Sequence, residues 1–463
     1  MCGDGAVMRK KCNFVKNLTE MNIRKSIFAA ALGIGLQSMA LTGSWRGDLD
    51  LGATRLPLVF NFSVESGVQR CTMDSPMQGA KGIAVRVAFC TSDSVSLSIA
   101  NLGVTFTGSV TPAVISGTFR QMGHSLPLTL VPERPIGERR PQTPKPPIPY
   151  NEIDTVFASS DGTLLSATLV VPVDASSRCK PAVVMVTGSG PQNRDEEVFD
   201  HRPFAVIADA LARRGIASLR YDDRGVGRSQ GSYAESDIND FTADASGALN
   251  FLRGIPQIGK AGVLGHSEGG TIALRLGADA QPDFVVSLAG AAEKGKDIIL
   301  DQNRQSLEKT GIDPTQRDAV LKLLSAVFDD IAAGKKIVEK DIDSLAAQFG
   351  VAPEFVPMLK QNVPSGQSEY MRQLISLNPS EWLCRVNCPV LALNGMKDTQ
   401  VNSDRNLAII SSNVKGAKTI AYPELNHLFQ PATTGEMSEY ESIATTIAPQ
   451  VLEDIADFIL SQE

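Results

Sequence analysis

The segment from 43 to 132 alternates apolar and polar residues with a period of two. Leucine or phenylalanine occupies every second position in the segment 56–62. In the segment 95–99 apolar residues alternate with serines, and in the segment 126–130 every second residue is leucine. Period-two apolarity predicts strands with one buried face. We therefore predict a small all-β domain over 43–132, either a sandwich or a barrel. It contains no acid pair or metal-ligand cluster, so a spacer or partial lid is favoured over a ligand-binding module.

A proline-rich segment at 133–149 separates this domain from the rest of the chain. Its composition predicts a semi-rigid, extended linker. From 150 to 463 the pattern changes to strands alternating with helices. Short apolar runs such as 182–186 and 284–288 are typical of buried parallel strands, and 204–211 carry a helical stripe. This order predicts an α/β fold with a doubly wound, mostly parallel sheet.

A helical block interrupts the α/β pattern at about 293–383. Apolar residues recur there at helical spacing, and strand signals return only at 389–393. A helical insertion between two strands predicts a cap over the sheet. The last helix is predicted over about 438–459.

Residues 1–42 have the pattern of a targeting segment. A short basic start at 21–25 precedes the apolar run Ser26 to Leu36, and small residues follow. This is the order of a secretory signal peptide, which predicts a start at Met21 and a mature N-terminus near 41–44. The run is too short and too interrupted by glycine for a membrane span. We expect a periplasmic or secreted protein without a stable membrane anchor.

The net charge and the cysteines bear on which partners, disulfides and metal sites can be expected. The net charge of −7 over 463 residues argues against nucleic acid as a partner. Export permits disulfides, and Cys71 with Cys90 is the pair to test, although free buried thiols are the favoured interpretation. Cys384 and Cys388 have no second ligand pair, so no zinc site is expected.

The segment Gly265-His266-Ser267-Glu268-Gly269 fits the pattern G-x-S-x-G. An apolar strand precedes it, and a helix rich in alanine and leucine is predicted to begin near Glu268. In such a strand–turn–helix the serine backbone is strained and its hydroxyl is exposed. The flanking glycines allow the strand and the helix to approach closely. Ser267 is therefore the candidate nucleophile.

A serine hydroxyl needs a base that takes its proton. The chain has four histidines: His124, His201, His266 and His427. In a hydrolase with this turn, the order along the chain is serine, then acid, then histidine. Only His427 follows a candidate acid, so it is the predicted base.

The orienting acid is expected after a strand between the serine and the histidine. Asp398 follows the 389–393 strand directly and is the candidate that would fix the imidazole tautomer of the base. Asp404 is the second choice, because it falls inside a predicted helix. A capping role is the ordinary alternative for such aspartates.

Two backbone N–H groups are candidates for stabilising an oxyanion. The N–H of Glu268 lies at the predicted helix N-terminus. The N–H of Ser189 lies in the glycine-rich loop 187–191 after the 182–186 strand. A second loop, 220–229, is rich in Asp and Arg, and we expect it to support the floor of the site.

These segments together resemble the α/β-hydrolase superfamily. More narrowly, the chain is similar to bacterial carboxylesterases of the serine aminopeptidase-like and dienelactone hydrolase-like group. The resemblance is carried by the elbow at 265–269, by 187–195, 221–227 and 394–398, and by Asn426-His427. It departs from the group's common His-Gly in having Thr187-Gly188. The resemblance implies ester hydrolysis through an acyl-serine, without metal or cofactor.

Three functions remain open on the sequence. The leading hypothesis is a carboxylesterase that acts on a small-molecule ester with a small or short acyl group. The alternative is an aminopeptidase or amidase that uses the same Ser-His-Asp triad and needs an acidic site for the substrate's amine. The third is a binding or scaffolding protein with an inactive hydrolase fold, which the complete triad argues against.

Overall fold

The computed structural model describes residues 41–50, 55–65, 68–76, 80–91, 93–121, 123–133, 139–173, 180–279, 281–362 and 367–462. The predicted start at Met21 and nearly all of the predicted leader lie outside these residues, as does Cys179. The chain divides into two compact units, 1–133 and 134–463.

The N-terminal unit is a closed barrel of eight antiparallel strands. Each strand pairs with the next, and the first also pairs with the last through Trp45–Pro132 and Arg46–Val131. The interior is apolar; Phe60 and Phe106 stack there with ring centroids 5.8 Å apart. The strands are β1 (Gly43–Asp50), β2 (Arg55–Glu65), β3 (Val68–Ser75), β4 (Ala80–Cys90), β5 (Ser94–Ile99), β6 (Val104–Val110), β7 (Ile115–Gln121) and β8 (His124–Pro132).

The Cys71 and Cys90 thiols are both free in this barrel. Cys71 is buried in the interior, where desolvation, together with the nearby Cys90, raises the pKa of its thiol to about 12. A thiol with so high a pKa is a poor nucleophile and packs as a small apolar group.

The C-terminal unit is built on one eight-stranded sheet in the order β9-β10-β12-β11-β13-β14-β15-β16. Strand β10 is antiparallel to both β9 and β12, and the strands from β12 to β16 are parallel. The sheet is mostly parallel, as predicted. The strands are β9 (Tyr150–Ala158), β10 (Leu164–Pro172), β11 (Lys180–Val186), β12 (Ala217–Tyr221), β13 (Ile258–His266), β14 (Val285–Leu288), β15 (Val390–Gly395) and β16 (Lys418–Tyr422).

Helices cover both faces of this sheet, and each face has its own apolar cluster. Between β14 and β15 a predominantly helical block contains α4 to α8, with a separate apolar core of its own. The helices are α1 (Pro203–Arg213), α2 (Ile238–Arg253), α3 (Glu268–Ala278), α4 (Gly295–Lys309), α5 (Pro314–Ala332), α6 (Glu339–Phe349), α7 (Val356–Asn362), α8 (Glu369–Ser376), α9 (Ser403–Asn413), α10 (Met437–Tyr440) and α11 (Pro449–Leu460).

The prediction of one continuous last helix over 438–459 is wrong. The structure has the short helix α10, an irregular stretch, and then α11, which begins at Pro449. Proline disfavours the helical conformation of the residue before it, and Ala448 accordingly has ψ 133. Within the described ranges, no helix combines the length and the apolar character needed to cross a bilayer.

Candidate active site

Ser267 lies in a strained turn between β13 and α3. Its backbone has φ 53 and ψ −118, a region that residues other than glycine rarely adopt. The turn is held because the Ser267 N–H donates to the Leu288 carbonyl at 2.8 Å. A Cβ atom on Gly265 would lie 1.9 Å from the Gly269 carbonyl oxygen, so glycine is required at that position. This is the geometry that exposes a nucleophilic serine.

The start of α3 packs closely against the end of β11. A Cβ atom on Gly269 would lie 2.1 Å from the carbonyl oxygen of Val186. The glycine-rich loop that follows β11 also approaches the elbow, because a Cβ atom on Gly188 would lie 3.3 Å from Cβ of Ser267. The glycine-rich loop and the helix N-terminus therefore flank the serine on the same edge of the sheet.

Asp398 and His427 are brought together at that edge, in the loops that follow β15 and β16. Nδ1 of His427 lies 2.7 Å from Oδ2 of Asp398, and their side chains are 4% and 0% exposed. The other carboxylate oxygen accepts the N–H groups of Gln400 and Val401 at 2.7 and 2.9 Å. The carboxylate is thus fixed on one side and holds the imidazole on the other.

His427 also lies beside the nucleophile's own strand. The ring of His266, the residue immediately before Ser267, has its centroid 4.8 Å from the ring of His427. Nε2 of His266 lies 2.9 Å from the His427 carbonyl oxygen. The structure therefore places the three predicted triad residues on neighbouring loops at one edge of one sheet.

The other candidate residues lie elsewhere or are engaged by different partners. His124 is exposed on the barrel, and Asp404 is exposed on α9. His201 is fully buried, with Nδ1 2.8 Å from Oγ1 of Thr446 and Nε2 3.1 Å from the Tyr440 carbonyl oxygen. The hydrogen bonds given for His201 among the described residues involve neither Ser267 nor His427.

The loop after β11 is tied down on both sides of Ser189. The Gly188 N–H donates to Oε1 of Glu196 at 2.7 Å, and the Gly190 N–H donates to the Tyr233 hydroxyl at 2.7 Å. In contrast, the N–H groups of Ser189 and Glu268 donate to no acceptor among the residues that the structure describes. Neither N–H group is engaged by a described acceptor, and their role as oxyanion donors stays a prediction from the sequence.

The side chain of Glu268 makes a contact with the cap that the sequence did not suggest. The Tyr370 hydroxyl of α8 donates to Oε2 of Glu268 at 2.5 Å. Burial raises the pKa of Glu268, and the hydrogen bond from Tyr370 opposes that rise. The cap is thus joined to the residue that follows the candidate nucleophile.

Glu196 and His266 are further residues that sequence reasoning missed. Both side chains are more than 90% buried, and Oε1 of Glu196 lies 2.9 Å from Nδ1 of His266. Glu196 belongs to the acidic run 195–197, a pattern more typical of a solvated loop. The one signal in the sequence is the position of His266 inside the elbow motif itself.

The loop that follows β12 is held by ion pairs and hydrogen bonds, as its composition predicted. Arg194 donates to both oxygens of Asp222, at 3.0 and 2.7 Å. The Asp223 carboxylate accepts the Thr187 hydroxyl at 2.9 Å. Arg224 makes a two-pronged contact with Asp244, at 2.6 and 2.7 Å. The loop thereby supports the 187–194 segment that borders Ser267.

Comparison with known proteins gives similarity to hydrolases. Residues 201–343 match the family model described as "Serine aminopeptidase, S33". Esterase EstD of Thermotoga maritima is 26% identical over 275 residues, which are 59% of this chain and 60% of that protein. Mitochondrial palmitoyl-protein thioesterase ABHD10 of Pongo abelii is 26% identical over 184 residues, 40% of this chain and 48% of that protein. The chain thus covers less than two thirds of either relative.

Solved structures similar to this chain include Est1E and an esterase named EaEST. Est1E of Butyrivibrio proteoclasticus with bound ferulic acid is 18% identical, with a TM-score of 0.41, and the match covers 66% of this chain and 99% of that one. The esterase EaEST of Exiguobacterium antarcticum is 18% identical, with a TM-score of 0.39 and coverage of 66% and 100%.

Proposed function

We propose that this chain is an α/β hydrolase that uses a serine nucleophile to cleave carboxylic esters. The observation that carries the proposal is the hydrogen bond between His427 and Asp398, on loops adjacent to the strained Ser267. Similarity to an esterase from Thermotoga maritima supports the same reaction class. We propose short acyl esters as substrates.

The mechanism follows from these positions. His427 takes the proton of the Ser267 hydroxyl as the serine oxygen bonds to the ester carbonyl carbon. Asp398 holds the ring in the Nδ1–H tautomer and stabilises the imidazolium that forms. The carbonyl oxygen gains negative charge, which the N–H groups of Ser189 and Glu268 stabilise. The imidazolium then gives its proton to the departing alkoxide, which leaves an acyl-serine.

Water completes the cycle by the reverse proton path. His427 takes a proton from water as the hydroxyl adds to the acyl carbon, and the same two N–H groups stabilise the second oxyanion. Collapse of this intermediate returns the proton to the Ser267 oxygen and releases the acid. Atoms and charge therefore balance with the ester and water as the only reactants.

An amidase or aminopeptidase is the second candidate, because one acidic side chain does lie beside the nucleophile. Glu268 follows Ser267 directly, and the matched family model carries an aminopeptidase description. However, Tyr370 already donates to one oxygen of Glu268, and burial raises the pKa of this carboxyl. Because the Tyr370 hydroxyl already occupies Oε2 of Glu268, this carboxylate is partly committed to the cap, and the ester is the favoured substrate.

Direct comparison of substrates separates the two candidates. We expect the purified protein to hydrolyse p-nitrophenyl acetate and butyrate with a far higher kcat/KM than aminoacyl p-nitroanilides. A preference for the anilides would assign the amidase function instead. Ser267→Ala is expected to abolish turnover and labelling by a fluorophosphonate probe, with an unchanged circular dichroism spectrum. Ester turnover retained by Ser267→Ala would reject the proposed mechanism.

We also propose that the protein is exported, on the basis of the pattern of residues 1–42. The expected mature protein begins between Leu41 and Ser44. N-terminal sequencing of the protein recovered from the periplasm or medium tests this, and a secreted chain that begins at Met1 would contradict it.

A further inference from the structure

Glu196 joins two segments of the candidate site through one oxygen atom. Its Oε1 lies 2.7 Å from the Gly188 nitrogen and 2.9 Å from Nδ1 of His266. Glu196 itself has φ 53, a conformation that costs energy in a residue with a side chain. The strained backbone of Glu196 therefore lies at the residue whose carboxylate links the glycine-rich loop to the elbow.

The partners of His266 determine its protonation state. Nε2 faces the carbonyl oxygen of His427 at 2.9 Å, and a carbonyl can only accept, so Nε2 carries a proton. Nδ1 faces an oxygen of Glu196 that already accepts the Gly188 N–H, so Nδ1 donates as well. A ring that donates from both nitrogens is an imidazolium, and its counter-ion is the Glu196 carboxylate.

The charged groups around this ring favour the same state. Burial alone would lower the pKa of His266, but the charge of Glu196 and the hydrogen bond to it raise the pKa, with a smaller contribution from Asp398. Glu196, the His427 carbonyl and the Asp398 carboxylate are all acceptors or anions. The His427 ring lies beside the His266 ring, tilted by 52° with a centroid distance of 4.8 Å.

We infer that Glu196 and His266 form a buried ion pair that positions both the glycine-rich loop 187–191 and the base His427 relative to Ser267. The pair spans three separate segments: Gly188 on the loop after β11, the elbow after β13, and His427 after β16. Neither side chain touches the reacting atoms, so both are positioning residues. The inference rests on the proposed ester hydrolysis, because positioning is measured through that reaction.

The pair has a specific consequence for catalysis. A loop displaced by a fraction of an ångström weakens oxyanion stabilisation much more than substrate binding, because the oxyanion forms only in the transition state. Loss of the pair should thus lower kcat and leave KM nearly unchanged. Affinity for a tetrahedral analogue such as a trifluoromethyl ketone should fall in parallel with kcat.

Four variants test the pair in the full-length protein: two at Glu196, His266→Gln alone, and a double variant. Glu196→Ala removes both acceptor contacts, and we expect kcat to fall about 100-fold, the size of effect seen when oxyanion stabilisation is impaired. Glu196→Gln keeps an acceptor for Gly188 but removes the charge, so His266 should lose a ring proton and kcat should fall less. In a double variant, Glu196→Gln with His266→Gln should lose no more activity than the worse single variant, because the two residues act as one unit.

His201→Gln is the matched control. His201 is another buried histidine with two ring hydrogen bonds, and these go to Thr446 and Tyr440 and not to Glu196 or His427. We expect this control to lower thermal stability without changing kcat. If His201→Gln lowers kcat as much as His266→Gln does, or if losses in the double variant multiply, the positioning role is rejected.

Nuclear magnetic resonance of the ring nitrogens separates this inference from the proposed function. At pH 7, ¹⁵N spectra of Ser267→Ala should show His266 protonated on both nitrogens, and the Glu196→Gln change should convert it to a singly protonated ring. A neutral His266 in the parent protein overturns the ion pair. Failure to hydrolyse any ester, with a doubly protonated His266, would instead reject the proposed function and leave the ion pair standing.

Discussion

Oδ2 of Asp398 lies 2.7 Å from Nδ1 of His427, and Oδ1 of the same carboxylate is held by two backbone N–H groups. Because both oxygens are committed, the carboxylate cannot rotate away from the ring. In a neutral imidazole this contact keeps the proton on Nδ1 and leaves Nε2 unprotonated, which the proposed role of His427 as base requires. Asp398 therefore sets the chemistry of His427 as well as its orientation.

Asp398→Asn should separate these two roles. The amide oxygen can still accept the N–H groups of Gln400 and Val401, so the loop is expected to keep its shape. The amide nitrogen would then face Nδ1 and stabilise the tautomer with its proton on Nε2, which cannot accept the serine proton. We expect kcat for p-nitrophenyl acetate to fall by roughly 10⁴, with a melting temperature close to that of the parent protein.

Asp404→Asn is the matched control for this prediction. Asp404 was the second candidate from the sequence, and the structure places it exposed on α9. We expect its substitution to leave kcat and KM unchanged. An equal loss of activity in both aspartate variants would mean that the assignment of the acid is mistaken.

The parts of the site that could be predicted are those that depend on local geometry and chain order. The elbow is recognisable because only glycine fits at 265 and 269, where the neighbouring backbone comes within about 2 Å of the place that a Cβ atom would occupy. The order of Ser267, Asp398 and His427 along the chain then limits the partners. The sheet follows from apolar runs of strand length.

The parts that could not be predicted depend on distant pairing. Glu196 and His266 are 70 residues apart, and an acidic loop is ordinarily solvated, so nothing local marks their contact. Closure of the barrel could not be predicted for the same reason, because a period-two pattern does not indicate that β1 pairs with β8. The break before Pro449 differs, because the proline is visible in the sequence but the apolar stripe around it favours one continuous helix.

Arg224 should be a major contributor to the stability of the C-terminal unit. Its side chain is 6% exposed and that of Asp244 is 2% exposed, so both charges are removed from water. Arg224→Leu would leave Asp244 buried without its cation, and we expect the free energy of unfolding to fall by about 3–5 kcal/mol. Urea denaturation followed by circular dichroism measures this change.

Two further variants test whether the unpaired Asp244 carboxylate causes this loss of stability: Arg228→Ala, and a double variant at Arg224 and Asp244. Arg228 lies in the same loop but is 83% exposed, and its ion pair with Asp154 is 3.9 Å long, so we expect a change of less than about 1 kcal/mol. Arg224→Leu combined with Asp244→Leu should recover part of the lost stability, because no unpaired charge remains. If the double variant is less stable than Arg224→Leu alone, the loss came from packing and not from the stranded carboxylate.

His201 should make folding stability depend on pH in the mildly acidic range. Nε2 of His201 donates to the Tyr440 carbonyl, and Nδ1 lies 2.8 Å from Oγ1 of Thr446, a hydroxyl that can donate to the unprotonated nitrogen of a neutral ring. Burial lowers its pKa to about 4 from 6.5. Between these values the unfolded chain binds a proton that the folded chain does not, so the stability contributed by His201 is complete above pH 6.5 and is lost as the pH falls toward 4.

The expected loss is up to roughly 3 kcal/mol at 1.36 kcal/mol per pKa unit. His201→Gln carries no titrating ring, and its unfolding free energy should therefore decline less steeply than that of the parent protein between pH 6.5 and 4. Urea denaturation at a series of pH values in this range gives the difference between the two proteins. If the two curves of unfolding free energy against pH are parallel, the His201 ring is not held neutral. We expect them to converge toward pH 4, because His201 is buried without a carboxylate partner of the kind that Glu196 provides to His266.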